Sequence, residues 1–286
     1  MLAGSARGAG AQTCALEPQA SRAVVRVIDG ETLALDDGTE VRLVGALAPR
    51  APAGNAQEWP FERAAVSALE LLVKGRTVQL KTVGRQHDRY GRLLAHVFVA
   101  DGGETVWVQR ALVTAGHVRA YALPGNEGCL ADLLIAEETA RESRRGLWAS
   151  VAYQVHEASD TRELLRIAGS FAVVEGRVER VAKAGRRLYL NFGTDWRRDF
   201  SISVPPTLLR GGSLGEAKIV ERLKALAARR VRVRGWIQRR NGPLVEISSI
   251  DEIEVIGDAE KPALDSAESK AKEKHPAGAQ PGALDL

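Results

Sequence analysis

Two Asp-Gly turns set inside a β-branched run constrain this chain more than any other feature. Ala23 to Ile28 is an extended stretch ending in Asp29-Gly30, Thr32 to Leu35 resumes it, Asp36-Asp37-Gly38 turns it again, and Val41 to Val44 makes a third pass. Asp-Gly between apolar runs signals a hairpin, because glycine reaches the positive φ that tight hairpin turns require. Three short strands joined so closely form a meander.

The pattern then alternates between helix and strand. After a Pro-, Ala- and Gly-rich loop over Pro49 to Asn55, Pro60 opens a helical segment to Lys74. Phe61, Ala64, Ala65, Ala68, Leu69 and Leu72 keep a helical period there, and Gly75 ends it. Thr77 to Val83 and Leu93 to Val99 read as the fourth and fifth strands, separated by a turn at Tyr90-Gly91. Val106 to Ala115 reads as a short helix closed by Gly116. Leu130 to Arg145 reads as a longer one closed by Gly146, with Leu147 and Trp148 placed to pack back on it. Five strands with such helices predict a small closed barrel of the oligonucleotide/oligosaccharide-binding (OB) type, mainly β with α.

Residues from about Val24 to Trp148 resemble the staphylococcal-nuclease-like (thermonuclease) family. Five ordered signatures carry the resemblance: Ile28-Asp29-Gly30-Glu31-Thr32-Leu33, the segment from Arg42-Leu43 to Pro49, Pro60-Phe61-Glu62, Asp88-Arg89-Tyr90-Gly91-Arg92, and Gly146-Leu147-Trp148. The resemblance implies metal-assisted phosphodiester cleavage: calcium held by two aspartates and a backbone carbonyl, a glutamate that activates or positions water, and two arginines that stabilise charge on phosphorus.

Arg42 and Arg92 match the two arginines. Glu31 stands where the first metal aspartate is expected and is the one weak metal-ligand candidate. Leu47 stands where the second is expected, Ala48 offers only its backbone carbonyl, and Arg50 replaces the glutamate. Leu47 supplies no oxygen, and a guanidinium neither acts as a base near neutral pH nor tolerates a neighbouring cation. The resemblance therefore implies a site in which Arg42, Arg50 and Arg92, with Arg89 nearby, grip a phosphate-bearing ligand, nucleic acid foremost, while calcium-dependent cleavage is lost. Two alternatives stay open. Calcium could act if an acid from another position, such as Asp36, Asp37, Glu40, Glu58 or Glu62, enters the site, or these arginines could simply pair with Asp29, Glu31 or Asp88. Tyr121 falls near the place where the family stacks an aromatic residue on a base. His87 and His96, considered as replacement bases, read as surface or hydrogen-bonded structural histidines.

Beyond Trp148 the chain reads as a packed linker over 151–168, with a short helix from Thr161 to Ile167. A second strand series follows: Phe171 to Val181 broken at Gly176, Arg186 to Phe192, Asp199 to Val204, a helix over Leu214 to Ala228, Arg230 to Arg239, and Leu244 towards Ile256. Three strands, a helix and two strands is the order of a second OB-like barrel over 169–257. Alternation turns Leu188, Leu190, Phe192, Val231, Val233 and Ile237 inward. It leaves Arg187, Tyr189, Arg230, Arg232, Arg234 and Trp236 on the other face, extended by Trp196, Arg197 and Arg198. Arginines interleaved with aromatic rings suit a single-stranded nucleic-acid platform; the competing reading packs this face on the first barrel.

At 286 residues, with 45% hydrophobic and 27% charged content, the chain can bury two separate cores. Its net charge of +4 and pI near 9.2 favour polyanionic partners. No apolar run spans a bilayer. Ala9-Gly10-Ala11 resembles the small-residue end of a secretory signal whose apolar part is missing, so 1–22 reads as a tail or signal remnant, and 258–286 reads as a disordered tail. Cys14 and Cys129 lack the spacing of a metal site. In an exported chain they would form one long-range disulfide, and in a reducing compartment two thiols. Periplasmic or secreted location is thus expected, with cytoplasmic left open. An exported protein-interaction module is a third reading of function, and oligomeric state is not fixed by the pattern.

Overall fold

The computed structural model describes residues 14, 16–51, 59–211 and 215–257. The secretory-signal reading of Ala9-Gly10-Ala11, the candidate Glu58 and the tail from Asp258 fall outside these residues. Described residues through Ile256 form one compact unit.

The first barrel is built from β1 (Glu17–Asp29), β2 (Thr32–Leu35), β3 (Glu40–Leu43), the short β4 (Ala46–Leu47), α1 (Glu62–Val73), β5 (Thr77–Thr82), β6 (Leu93–Asp101) and β7 (Glu104–Trp107). It is completed by α2 (Val108–Thr114), β8 (Arg119–Ala120) and α3 (Leu130–Glu142). Strand β1 pairs antiparallel with β2 and β5, β2 with β3, and β5 with β6. Parallel pairing of β3 with β6, Val41 opposite Leu93, closes the five-stranded barrel. Its core includes Leu33, Val41, Leu43, Leu69, Val78, Val97, Leu112 and Leu133. The helix expected from Val106 begins only at Val108. Gly102 and Gly103, both at positive φ, turn the chain so that Thr105, Val106 and Trp107 pair back on β6. Gly116 follows the end of α2, whereas α3 stops at Glu142, short of the expected Arg145, with Arg144 at φ 48° turning the chain and Gly146 opening the next turn. The two glycine backbones meet: Leu147 donates to the Gly116 carbonyl at 2.9 Å, in space a Cβ on either glycine would occupy.

The second barrel follows β9 (His156–Glu157) and α4 (Thr161–Arg166) with β10 (Phe171–Arg177), β11 (Arg180–Ala184), β12 (Arg187–Asn191), β13 (Ser201–Val204), α5 (Pro206–Gly211), α6 (Glu216–Lys224), β14 (Arg230–Arg239), β15 (Pro243–Glu246) and β16 (Ile253–Val255). Its order is β11-β12-β13-β15-β14-β10-β9, with β16 also on β14. The long first strand breaks at 178–179, not at Gly176. One half pairs with β14 and the other with β12, as in an OB-type barrel. Gly176 stays in β10, where a Cβ would press on Ala158 and Phe192.

The two barrels meet through charge. Glu137, in the apolar stripe of α3, is fully buried. It accepts from the Ala120 N–H at 2.7 Å, Arg141 at 2.8 Å and Arg234 of β14 at 2.7 Å. Arg234 is 0% exposed and also reaches Glu254 at 2.5 Å. Arg232 pairs with Glu175 at 2.6 Å and Glu138 at 2.7 Å, and Arg230 with Glu157 at 2.7 Å. Beside them Arg119, whose pKa burial lowers to about 10, donates to the Phe171 carbonyl at 2.8 Å and lies over the Tyr153 and Phe171 rings. Cys14 and Cys129 form a disulfide that ties the segment before β1 to the start of α3.

His96 is not on the surface: it is buried, its two ring nitrogens have no hydrogen-bond partner among the described residues, and it packs edge-on against Trp107. Burial lowers its pKa from 6.5 to about 4. Unfolding between these values takes up a proton, so this group's contribution falls as pH drops through that window. At about 1.36 kcal/mol per pH unit the loss is about 3 kcal/mol. Glu252, which burial lifts to about 7 against hydrogen bonds from Ser248 and Ser249, has the opposite sign. The comparison must therefore be with a variant: urea unfolding at pH 7 and pH 4 should show the stability of wild type relative to His96→Leu falling by about 3 kcal/mol. An equal difference at both pH values would reject this account. Separately, Glu137→Ala should lower unfolding free energy by about 3–5 kcal/mol, because Arg141 and Arg234 lose a buried counterion.

Candidate phosphate site on the first barrel

The β1–β2 turn, the end of β3 and the β4 loop bring Asp29, Glu31, Arg42 and Arg50 together. Glu31 is 2% exposed. Its Oε2 accepts the Ala48 N–H at 2.9 Å, while Oε1 lies 3.2 Å from Arg42 and 3.4 Å from Arg50. Asp29 accepts the Glu31 N–H at 2.9 Å through Oδ1 and pairs with Arg50 at 3.1 Å through Oδ2. Burial pushes the Glu31 carboxyl up from its ordinary value, against Arg42, the Ala48 N–H and Arg50, which pull it down. Ala48 thus serves the site through its N–H.

Arg92 stands at the edge of the cluster. Its Nε and Nη2 hold Asp88 Oδ2 at 2.8 and 2.7 Å, and Nη1 reaches Thr32 Oγ1 at 3.3 Å; Thr32 pairs with Arg42 across β2 and β3. Asp88 Oδ1 fixes the loop by accepting the Tyr90 and Arg92 N–H groups. Burial raises the Asp88 carboxyl, but the Arg92 and backbone hydrogen bonds outweigh it and leave the pKa lowered. The ion pairs anticipated as the alternative are therefore all present. They leave room for a ligand: among the described residues the contacts of Arg42 and Arg50 with these carboxylates run through Nη2, and Arg50 has a 58% exposed side chain. Arg89 is exposed and lies over the Tyr90 ring.

Calcium does not fit this donor set. A calcium shell takes 6–8 oxygens, whereas Glu31 is neutralised by two guanidiniums, Asp29 is engaged by Arg50, and Leu47 presents alkyl carbon. Asp37, a possible substitute, pairs with Arg22 and caps Thr39. Among the described residues no three His, Cys, Asp or Glu side chains converge as a metal site.

Tyr121 packs edge-to-face on Phe171, which packs the same way on Trp236, 47% exposed, so these two expected base-stacking residues lie at the barrel junction. Burial raises the Tyr121 pKa and Arg42 lowers it. The expected open arginine face on the second barrel is corrected. Arg232 and Arg234 are buried in ion pairs with the first barrel, and Arg187 pairs with Glu246 and donates to Ser203 Oγ at 3.0 Å. Tyr189 instead lines a separate cleft whose Arg180 and Arg240 the strand pattern did not single out. Arg180 at a strand start and Arg240 beside an Asn-Gly turn carried no periodic signal.

Residues 40–150 match the family described as staphylococcal nuclease homologue. An uncharacterized endonuclease of Escherichia coli O157:H7 is 32% identical over 129 residues, covering 44% of this chain and 75% of the relative. A thermonuclease of Staphylococcus intermedius is 30% identical over 128 residues, covering 44% and 74%. An uncharacterized protein of Methanocaldococcus jannaschii is 25% identical over 146 residues, covering 44% and 70%. No helix among the described residues is long and apolar enough to cross a membrane. The barrel closure, the arginine-bearing loops and these similarities agree, and the chain belongs to the staphylococcal nuclease homologue family.

Proposed function

We propose that the first barrel binds nucleic acid through a phosphate held by Arg42 and Arg50, and that calcium-dependent cleavage has been lost. The observation that carries this reading is the charge inversion beside Glu31: the Arg50 guanidinium stands where the family's chemistry needs a carboxylate, and together with Arg42 it engages Glu31 Oε1. Their remaining N–H groups can donate to phosphate oxygens, and charge-assisted donation from paired arginines gives geometric specificity. Arg92, with all three nitrogens engaged, braces the loop and adds positive potential. Tyr121 and Trp236 would offer rings to a base beside the phosphate. The Cys14–Cys129 disulfide supports export to an oxidising compartment, periplasmic or extracellular.

Salt dependence tests the binding. Arg42→Ala and Arg50→Ala should each flatten the log affinity against log salt plot for single-stranded DNA by about 0.7. Failure of the chain to bind at low salt would favour protein contacts instead. Cleavage is tested by digesting single-stranded DNA with calcium, magnesium or chelator. No metal-dependent cleavage is expected from the natural chain, and clear cleavage abolished by Arg92→Ala would defeat the proposal. Glu31→Asp, Leu47→Asp and Arg50→Glu combined should restore calcium-stimulated cleavage, because they return oxygens to the positions now held by alkyl carbon and guanidinium.

A further inference from the structure

The second barrel carries a cleft that the first barrel's site does not need. Strands β11, β12, β13 and β15 form its floor, and the loop after β12 and the β14–β15 turn form its walls, enclosing about 240 Å³. Tyr189 rises from β12 and Trp196 from the loop. Trp196 is 44% exposed, and among the described residues neither ring stacks on another. Arg197 lies over Trp196, 4.7 Å from the ring centre.

Two cations line the same cleft. Arg180 and Arg240 have no ion pair among the described residues, whereas Arg187, Arg230, Arg232 and Arg234 of the same barrel are all neutralised by carboxylates. Among the described residues no carboxylate lines the cleft. Asn191 is nearly buried on its floor. Its Oδ1 accepts the Ser201 hydroxyl at 3.1 Å, and its amide nitrogen has no protein partner among the described residues. The walls are set before any ligand arrives. Asp199 holds the Asp195 N–H at 2.8 Å, Asn241 sits at φ 53°, and Gly242 lies so close to Arg198 and Asp199 that a Cβ would fall 2.8–2.9 Å from their backbone atoms.

The half-buried Tyr189 ring and the exposed Trp196 ring, which stack on no other ring among the described residues, ask for a flat π face. Unpaired guanidiniums without a carboxylate ask for an anion, which argues against a neutral sugar or a cation. An amide donor on the cleft floor without a partner among the described residues asks for a carbonyl or ring nitrogen. The volume lies below the ~300–1,000 Å³ of drug-sized sites and suits one monomer unit. We infer that this cleft takes one nucleotide of a single-stranded nucleic acid, its base against Tyr189 and Trp196 and its phosphate on Arg180 and Arg240. Stacking of this kind tolerates any base, so binding would be sequence-tolerant.

The test uses the full chain and a fluorescein-labelled oligo-dT of about a dozen nucleotides, within the site sizes such barrels cover, read by fluorescence anisotropy with circular dichroism to confirm folding. Tyr189→Ala and Trp196→Ala should each weaken binding roughly tenfold, and Trp196→Phe should recover most of the loss. Arg180→Ala and Arg240→Ala should each flatten the salt dependence by about 0.7. The same losses should appear on an Arg42→Ala/Arg50→Ala background, which separates this cleft from the first barrel's site. Folded Tyr189→Ala and Trp196→Ala variants that bind like wild type would overturn the inference and leave any oligonucleotide binding to the first barrel. A chain that binds no oligonucleotide would overturn it too.

Discussion

A buried carboxylate on one barrel facing a buried guanidinium on the other is the constraint on which the rest of this molecule depends. Glu137 lies in the stripe Leu130, Leu133, Leu134, Ala140, where an apolar residue would ordinarily sit, and Arg234 lies in a strand buried on both faces. Neither charge can be desolvated alone, because an unpaired buried ion costs several kcal/mol. Each barrel therefore supplies the other's main counterion, and Ala120, Arg141 and Glu254 add further bonds, while the buried Arg234 Nε has no hydrogen-bond partner among the described residues. Such a junction is specific as much as it is strong: a shifted register between α3 and β14 would strand both charges.

The same logic runs through the candidate phosphate site on a smaller scale. Asp29, Glu31 and Asp88 each hold an arginine in place, so the guanidiniums are ordered before any ligand arrives, which lowers the entropic cost of binding. The family's barrel is retained here with Glu31, Leu47 and Arg50 at the positions that the resemblance singles out. Nothing about closing the barrel requires an oxygen at Leu47 or an acid at Arg50, so the fold alone does not decide the chemistry of the site.

Much of the barrel architecture was legible locally. The Asp29-Gly30 and Asp36-Asp37-Gly38 turns set the meander, and Gly75 and Gly116 end helices at positive φ, whereas α3 is ended by Arg144 before the Gly146 that the pattern pointed to. The hairpin at Gly102-Gly103 leaves little local signal, because Thr105 to Trp107 is short and merges into the helix that follows. Gly176 suggested a strand break, yet it is small to admit Phe192 rather than to turn the chain. His96 showed that a polar residue in an alternating strand can be sealed in with no hydrogen-bond partner among the described residues, which burial decides and pattern does not.

By itself the sequence determined the strand and helix order, the family signatures, and the fact that positions 47 and 50 lack oxygens, since these depend on local turn chemistry and residue identity. Only the tertiary structure decided which arginines are available. Arg187, Tyr189, Arg232, Arg234 and Trp236 share one alternating pattern, but period-2 alternation says only that side chains lie on opposite faces and not what covers each face. Packing of α3 against β14 buried Arg232 and Arg234 in ion pairs. The loop after β12, held against the β14–β15 turn, left Tyr189 and Trp196 lining a cleft beside Arg180 and Arg240, which have no ion pair among the described residues.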